Sequence, residues 1–289
     1  MDFKKKDSRQ ILEVKEGNIP LLSYPLLEKT GIVKHGFTTR RGGVSKGCFE
    51  SLNLSFSRGD DPKAVTENFK RAAGAFGCSI SDIVCSDQTH TTNVMRVDRS
   101  FAGMGVTREK TYKDIDGLIT NERGLLLATF YADCVPLFFV DPVHHAIGLS
   151  HSGWRGTVER MGAVTLMAMY MEFGTMPGDV YAAVGPSICQ DCYEVGEDVM
   201  EAFGREFKGH EKEILISKGN GKYQLDLWKS NEIVLREAGI TEEHLAVTNI
   251  CTCCNHSLLF SHRASHGKRG NLGAFLMLPD TPGQQGYKD

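Results

Sequence analysis

The sequence lacks any uninterrupted apolar run approaching the roughly 18 residues that a membrane-crossing helix requires, and its opening stretch, MDFKKKDSRQILEVKEGN, has no apolar segment of the kind a secretory leader carries. A cytoplasmic location without membrane contact is therefore expected. Excess basic charge is missing too: 33 Lys and Arg stand against 36 Asp and Glu, a formal net charge of -3. Nucleic acid is not an expected partner, because phosphate-backbone binding is built on clustered cations. There is no repeat of roughly 20 to 50 residues and no Pro-, Gly- or Ser-rich linker, so the 289 residues read as a single domain, 1–289.

What is present is ordinary globular material, 41% hydrophobic and 24% charged, with an odd number of cysteines, nine. In a chain of this length without a leader, the thiols are expected to be reduced rather than paired. The middle of the chain is strand-rich. DGLIT, GLLLATFYAD, VPLFFVD, HAIGLSHSG and VYAAVGPSI are short apolar runs punctuated by Asp, Gly and Pro. Runs apolar on both faces imply strands covered on both sides. VKHGFTTRRGGVSKG reads as a strand running into a glycine-rich loop, and DPKAVTENFKRAAGAFG as an amphipathic helix. TVERMGAVTLMAMYMEFG is expected to be one continuous helix, capped by Thr157 and stopped by Gly174; GEDVMEAFGREF and LDLWKSNEIVLREAG add two more, the latter capped by Asp226. Residues 1 to about 10 and the tail TPGQQGYKD are expected to be frayed.

Three segments place a metal-competent or nucleophilic group at a strand end or in a loop: DQTHTTN with His90, ADCVP with Cys134 and LSHSGWRGT with His151. Two imidazoles and one thiolate suit a catalytic zinc site, in which three protein ligands leave a fourth position open. Copper accepts the same donors. The competing readings are a buried packing cysteine and a Cys134 nucleophile served by a histidine base. His144 and His145, in the DPVHH turn, are read as non-ligands. A second cluster, Cys251-x-Cys253-Cys254-x-His256 with Cys189-x-x-Cys192 as a potential second half, invites a structural-zinc reading. The spacing across Thr252 is too tight for the common knuckle, so these thiols are expected to be exposed or half-buried without metal. Arg40 and Arg41 beside Gly42-Gly43, Arg155 and Arg263 are candidate anion contacts.

The segments HGFTTRRGGVS, SLNLS, QTH, DIDGLIT, YADCVPLFFVDP, SHSGWRGT, VGPSICQDCYEVG, DLW, CTCC and LLFSHR stand in an order and spacing that resembles the YfiH/YlmD-type purine nucleoside phosphorylases, a family also described as multicopper polyphenol oxidoreductase laccases. The likeness runs over a core from about residue 34 to about residue 278. It implies an α+β fold of two packed mixed β-layers flanked by helices, an α/β/β/α sandwich. It implies zinc, or copper in its place, held by His90, Cys134 and His151. The implied activity is phosphorolysis of adenosine, inosine and S-methyl-5'-thioadenosine to free base and sugar 1-phosphate, with adenosine deamination at the same site. Purine nucleosides and phosphate are the expected partners, and the chain is expected to be a monomer or homodimer. Arg40 and Arg155 are expected to contact phosphate or ribose, and His35 and Asn53 to line the nucleoside pocket. Asp116 or Asp133 is expected to handle a proton or orient a ligand imidazole. The alternatives are copper-dependent phenol oxidation, a cysteine hydrolase or peptidoglycan-precursor editing factor, and a nucleoside-binding module without turnover. Where relatives have Arg after Thr-Gly this sequence reads GKRGNLG, so no role is carried over to Arg269.

Overall fold

Alternation along the apolar runs decides the layering. In the strand Val135–Asp141, Phe138 and Val140 turn to one side and Leu137 and Phe139 to the other, and all four are buried. A strand with two apolar faces must be covered twice. The computed structural model describes residues 1–280 and shows how. One six-stranded sheet runs, in spatial order, Glu13–Lys15, Leu21–Ser23, Lys34–Thr38, Leu272–Met277, Leu126–Tyr131 and Ile83–Cys85; the last pair is parallel and the rest antiparallel. The other runs Leu245–Val247, Tyr181–Val184, Val135–Asp141, Ala146–Ser152, Gly117–Thr120 and Val94–Arg96, antiparallel in the middle with a parallel pair at each edge.

Three apolar layers result. Between the sheets lie Leu22, Phe37, Leu127, Tyr131 and Leu276 from one and Phe138, Val140, Ile147 and Leu149 from the other. The helix Pro62–Ala75 lays Val65, Phe69, Ala72 and Ala73 on the outer face of the first sheet against Ile83, Leu126 and Phe275. The helices Met161–Phe173, Glu197–Glu206 and Leu227–Glu237 cover the outer face of the second. This is the expected α/β/β/α sandwich. A small third sheet, Glu194–Val195, Lys222–Leu225 and Leu215–Gly219, is an addition to the two expected layers. Among the described residues no helix is long and apolar enough to cross a membrane.

Two expectations are corrected. The helix through TVERMGAVTLMAMYMEFG is broken: Trp154–Val158 forms a short helix, Arg160 adopts left-handed backbone (φ 59°), and Met161–Phe173 follows. Arg160 is held there by ion pairs to Glu206 (3.1 Å) and Glu237 (2.5 Å). Thr157 is thus inside the first helix, its hydroxyl donating to Gly153 O (2.9 Å), and caps nothing; Gly174 does end the second helix, at φ 76°. The N-terminal residues are not frayed either. Phe3 is buried, Lys4 N–H donates to Asn255 Oδ1 (2.7 Å) and Lys6 N–H to Asn249 O (2.9 Å). The tail 281–289 lies outside the described residues.

Candidate metal centre

Cys134 and His151 meet because a hairpin brings them together. The strands Val135–Asp141 and Ala146–Ser152 pair antiparallel, with Val135 opposite Ser152 and Pro136 opposite His151, so residues flanking the outer ends of the two runs become neighbours. His144, in the turn, is at the opposite end of the hairpin, about 20 Å away along a seven-residue strand rising roughly 3.4 Å per residue. Its ring bonds Asp141 Oδ2 (2.8 Å) instead, in keeping with the non-ligand reading.

His90 arrives from a different sheet and through a loop. Its backbone is left-handed (φ 68°), a costly conformation for a residue with a side chain. The buried carboxylate of Asp116 holds that loop: it accepts from the backbone N–H groups of Thr89 (3.0 Å), His90 (3.2 Å) and Thr91 (3.0 Å) and from the Thr91 hydroxyl (3.0 Å). The same carboxylate lies 2.7 Å from His151 Nδ1. One side chain therefore sets the loop of one imidazole and the ring orientation of the other. With Nδ1–H of His151 directed at Asp116, Nε2 is left to face Cys134 and His90.

The donor atoms of His90, Cys134 and His151 all lie within 4.8 Å of one another, with Cys134 Sγ 3.9 Å from His90 Nε2 and the two imidazole rings edge to face at 5.0 Å. His151 is buried against Tyr131, Cys134 half-buried and His90 exposed, so the cluster opens to solvent on one side. Gly153 makes the close approach feasible: a Cβ there would stand 2.8 Å from His90 Cδ2 and 3.4 Å from Cys134 Sγ. Electrostatics favour a thiolate. Burial pushes the Cys134 thiol up, but the His151 charge and hydrogen bonds from both imidazoles outweigh it and lower the thiol to about 6. Burial pushes His151 down, and Cys134 and Asp116 together outweigh that and raise it to about 9.

The remaining expected site residues fall into two groups. Asp133 precedes Cys134 in left-handed backbone (φ 93°); its Oδ1 accepts from the Thr252 hydroxyl (2.6 Å) and its Oδ2 from Arg263 N–H (2.7 Å). It is spent on holding the turn. Arg155 is exposed, its guanidinium lying 4.3 Å over the Trp154 ring, with no carboxylate paired to it among the described residues. His35 is not brought to the site: it is packed between the sheets, 6.0 Å from the Phe138 ring, its Nε2 accepting from Tyr24 N–H (2.8 Å), and burial pushes its pKa down to about 3. Asn53 is fully buried and occupied at both ends, donating to Ser55 O and Asp60 Oδ2 and accepting from Asn271 N–H. Arg40 donates to Glu50 O (2.7 Å) and His256 O (3.0 Å) and stacks on Phe260; it lines a cavity of about 130 Å³ with Lys268 and Arg269.

Arg269, to which the motifs assign no role, is the residue that sequence reasoning misses. It is 8% exposed, has a buried Nε with no hydrogen-bond partner, and is near enough to Cys134 and Asp133 that their charges act on it. Burial and the nearby Arg58 lower it to about 10. A buried, incompletely bonded guanidinium lining a cavity with Arg40 and Lys268 is a ready anion partner. No local signal reveals it, because the burial is produced by the fold.

Comparison with known proteins places these observations in a family. The family described as multi-copper polyphenol oxidoreductase laccase matches over residues 34–279. Purine nucleoside phosphorylase YlmD of Bacillus subtilis (strain 168) is 38% identical over 242 residues, covering 83% of this chain and 87% of that protein. Adenosine deaminase RL5, from an unknown prokaryotic organism, is 33% identical over 244 residues, covering 82% of this chain and 93% of that protein. The crystal structure of YlmD from Geobacillus stearothermophilus superposes with a TM-score of 0.86 at 33% identity, over 93% of this chain and 99% of that one. With motifs, layering and relatives agreeing along most of its length, the chain belongs to the YfiH/YlmD-type purine nucleoside phosphorylase family, the same family that carries the multi-copper laccase description.

Proposed function

We propose that the protein is a metal-dependent purine nucleoside phosphorylase that cleaves adenosine, inosine and S-methyl-5'-thioadenosine with phosphate, and deaminates adenosine at the same site. The observation that carries this reading is the convergence of the His90, Cys134 and His151 donor atoms within 4.8 Å on a cluster open to solvent. Two imidazole nitrogens and a thiolate match the donor preferences of zinc, with copper the alternative, and three ligands leave a position for substrate. A zinc ion held there supplies Lewis acidity toward an oxygen nucleophile, whether phosphate or water.

The chain's own residues do the rest. Asp116 keeps the proton on His151 Nδ1 and keeps His90 in reach. Asp133, with both carboxylate oxygens occupied, fixes the turn bearing Cys134. Arg269, which lines a cavity with Arg40 and Lys268, offers its guanidinium to a phosphate oxygen, and exposed Arg155 closes over the sugar or phosphate from the solvent side. In phosphorolysis a phosphate oxygen bonds to C1' as the C1'–N9 bond breaks, and the base departs with the bonding electrons and takes up a proton. In deamination water adds at C6 and ammonia leaves.

A second reading has its own support. The lowered Cys134 thiol beside the raised His151 is also the arrangement of a cysteine nucleophile with its base. A metal-held thiolate does not attack carbon, so one experiment separates the two. Purified protein is assayed for bound zinc and copper and incubated with inosine, with and without phosphate, beside Cys134→Ala and Arg269→Met. The expected result is bound metal, phosphate-dependent hypoxanthine release, and, in Cys134→Ala, loss of that release together with the metal held by this cluster. Arg269→Met should keep its metal and need about 10-fold or more phosphate, as expected for losing a charged hydrogen bond. Unchanged metal and unchanged hypoxanthine release in Cys134→Ala sink the proposal; activity that survives metal removal and is blocked by thiol alkylation favours the nucleophile.

A further inference from the structure

The second cysteine cluster does not match its expected state. Cys189 and Cys251 are buried and Cys192 and Cys254 half-buried, and the four Sγ atoms all lie within 4.8 Å of one another. The sequence pattern behind this is two C-x2-C pairs, Cys189-Gln-Asp-Cys192 and Cys251-Thr-Cys-Cys254. Pairing Cys251 with Cys254, and leaving Cys253 out of the set, removes the apparent crowding across Thr252 and restores the usual structural-zinc spacing.

The geometry is that of a tetrahedral cage. Four sulfurs at a Zn–S distance of about 2.3 Å stand about 3.8 Å apart, and Cys254 Sγ is 3.5 Å from Cys192 Sγ and 4.0 Å from Cys189 Sγ. A disulfide needs sulfurs at about 2.0 Å, and all four thiols are free. The backbone also serves a thiolate: the N–H groups of Cys189 and Cys254 both point at Cys251 Sγ, at 3.3 and 3.4 Å. Ligands of a metal are ordinarily held by such outer hydrogen bonds. Four thiolates around a divalent ion leave a net negative charge. The N-terminal segment brings Lys6 to it: its ammonium bonds Asp191 Oδ2 (2.7 Å), between the first two cysteines, and lies against Cys189.

We propose that Cys189, Cys192, Cys251 and Cys254 bind a second, structural zinc ion, independent of the His90, Cys134 and His151 cluster. The four ligands tie the segment after the strand Tyr181–Val184 to the segment after Leu245–Val247, which are distant in sequence. Each segment meets Asp133 at the residue next to a ligand: Ile188 N–H donates to Asp133 O (3.0 Å), and the Thr252 hydroxyl to its carboxylate (2.6 Å). Arg263 extends the same clamp, donating from its backbone to Asp133 and from its guanidinium to Cys192 O and Glu194 O. The structural zinc thereby holds Asp133 in its left-handed conformation and keeps Cys134 aimed at its own cluster. Four sulfurs leave no position for substrate, so the ion takes no part in chemistry.

The test uses the full chain. A His90→Ala, His151→Ala variant, in which the first cluster is dismantled, should still retain about one zinc per chain after dialysis, and its cobalt-substituted form should show the intense sulfur-to-cobalt charge-transfer absorption of a tetrathiolate site. Adding Cys192→Ser and Cys254→Ser should release that metal. Should the combined variant fail to fold, the cobalt spectrum of the first variant decides alone, because all four thiols are intact in it. The proposal is overturned if the His90→Ala, His151→Ala protein takes up no zinc, if it holds iron in place of zinc, or if its cobalt spectrum lacks thiolate ligation.

Discussion

At the scale of single residues, Asp116 has the widest reach. One carboxylate receives three successive backbone N–H groups, a hydroxyl and an imidazole, so its effect on metal binding runs through two ligands at once. Asp116→Asn should weaken metal affinity by about 10- to 100-fold, the usual cost of losing an outer partner of a ligating histidine. Competition with a chelator of known affinity measures it; an unchanged affinity would show that the loop is held without this carboxylate. Cys134 makes a pH prediction in metal-free protein. Its thiol is lowered to about 6 by the two imidazoles, so the reactive thiolate is present above pH 6 and lost as the pH falls through that value. Iodoacetamide labelling of the Cys134 peptide should follow a midpoint near pH 6, and His151→Ala should move the midpoint upward towards an ordinary thiol. Labelling with the same midpoint in both proteins would remove the ion pair from the account. The histidine of QTH and the cysteine of ADC are recognisable as candidates by residue type and motif. His35 and Asn53 are not recognisable as structural residues, because each is satisfied by partners that only the fold supplies: Tyr24 N–H for one, Asn271 N–H for the other.

At the scale of elements, the hairpin between Val135 and Ser152 does most to build the site. Two apolar runs around an Asp-Pro turn predict antiparallel pairing, and antiparallel pairing places their outer ends side by side. The 17-residue gap between Cys134 and His151 is therefore interpretable from local pattern alone. The helix after it is not. Its break at Arg160 depends on carboxylates from two other helices, Glu206 and Glu237, which local periodicity does not register. Gly153 sits between the hairpin and that helix. Gly153→Ala would put a methyl group 2.8 Å from His90 Cδ2, inside contact distance, and His90 is the exposed and more movable partner. The expected outcome is weaker metal binding with little loss of fold stability, read by metal titration beside thermal melting. A variant with unaltered metal affinity would show that His90 has slack to spare.

At the scale of the whole molecule, stability rests on the layer between the sheets. Phe138 is fully buried there, 6.0 Å from the rings of both Tyr24 and His35, and the Tyr24 hydroxyl crosses to Val184 O on the other sheet (2.7 Å). Phe138→Ala should cost about 3–5 kcal/mol, as large-to-small changes in a packed core do, measured by denaturant unfolding. A cost below about 1 kcal/mol would mean that the two sheets close over the gap. The layered architecture is legible in the sequence because strand alternation is a local property: side chains point to opposite faces every second residue whatever lies beyond them. The two C-x2-C pairs and the three motif donors are local as well. Which of these groups share a site is not local. His90 joins Cys134 and His151 only because Asp116, immediately before a strand of the second sheet, holds a loop that starts from the first, and Arg269 becomes a buried cation only when the chain is folded around it. By itself the sequence determined the strands, their two apolar faces and the inventory of donors; the tertiary structure decided which donors meet, because convergence depends on contacts between residues far apart in the chain.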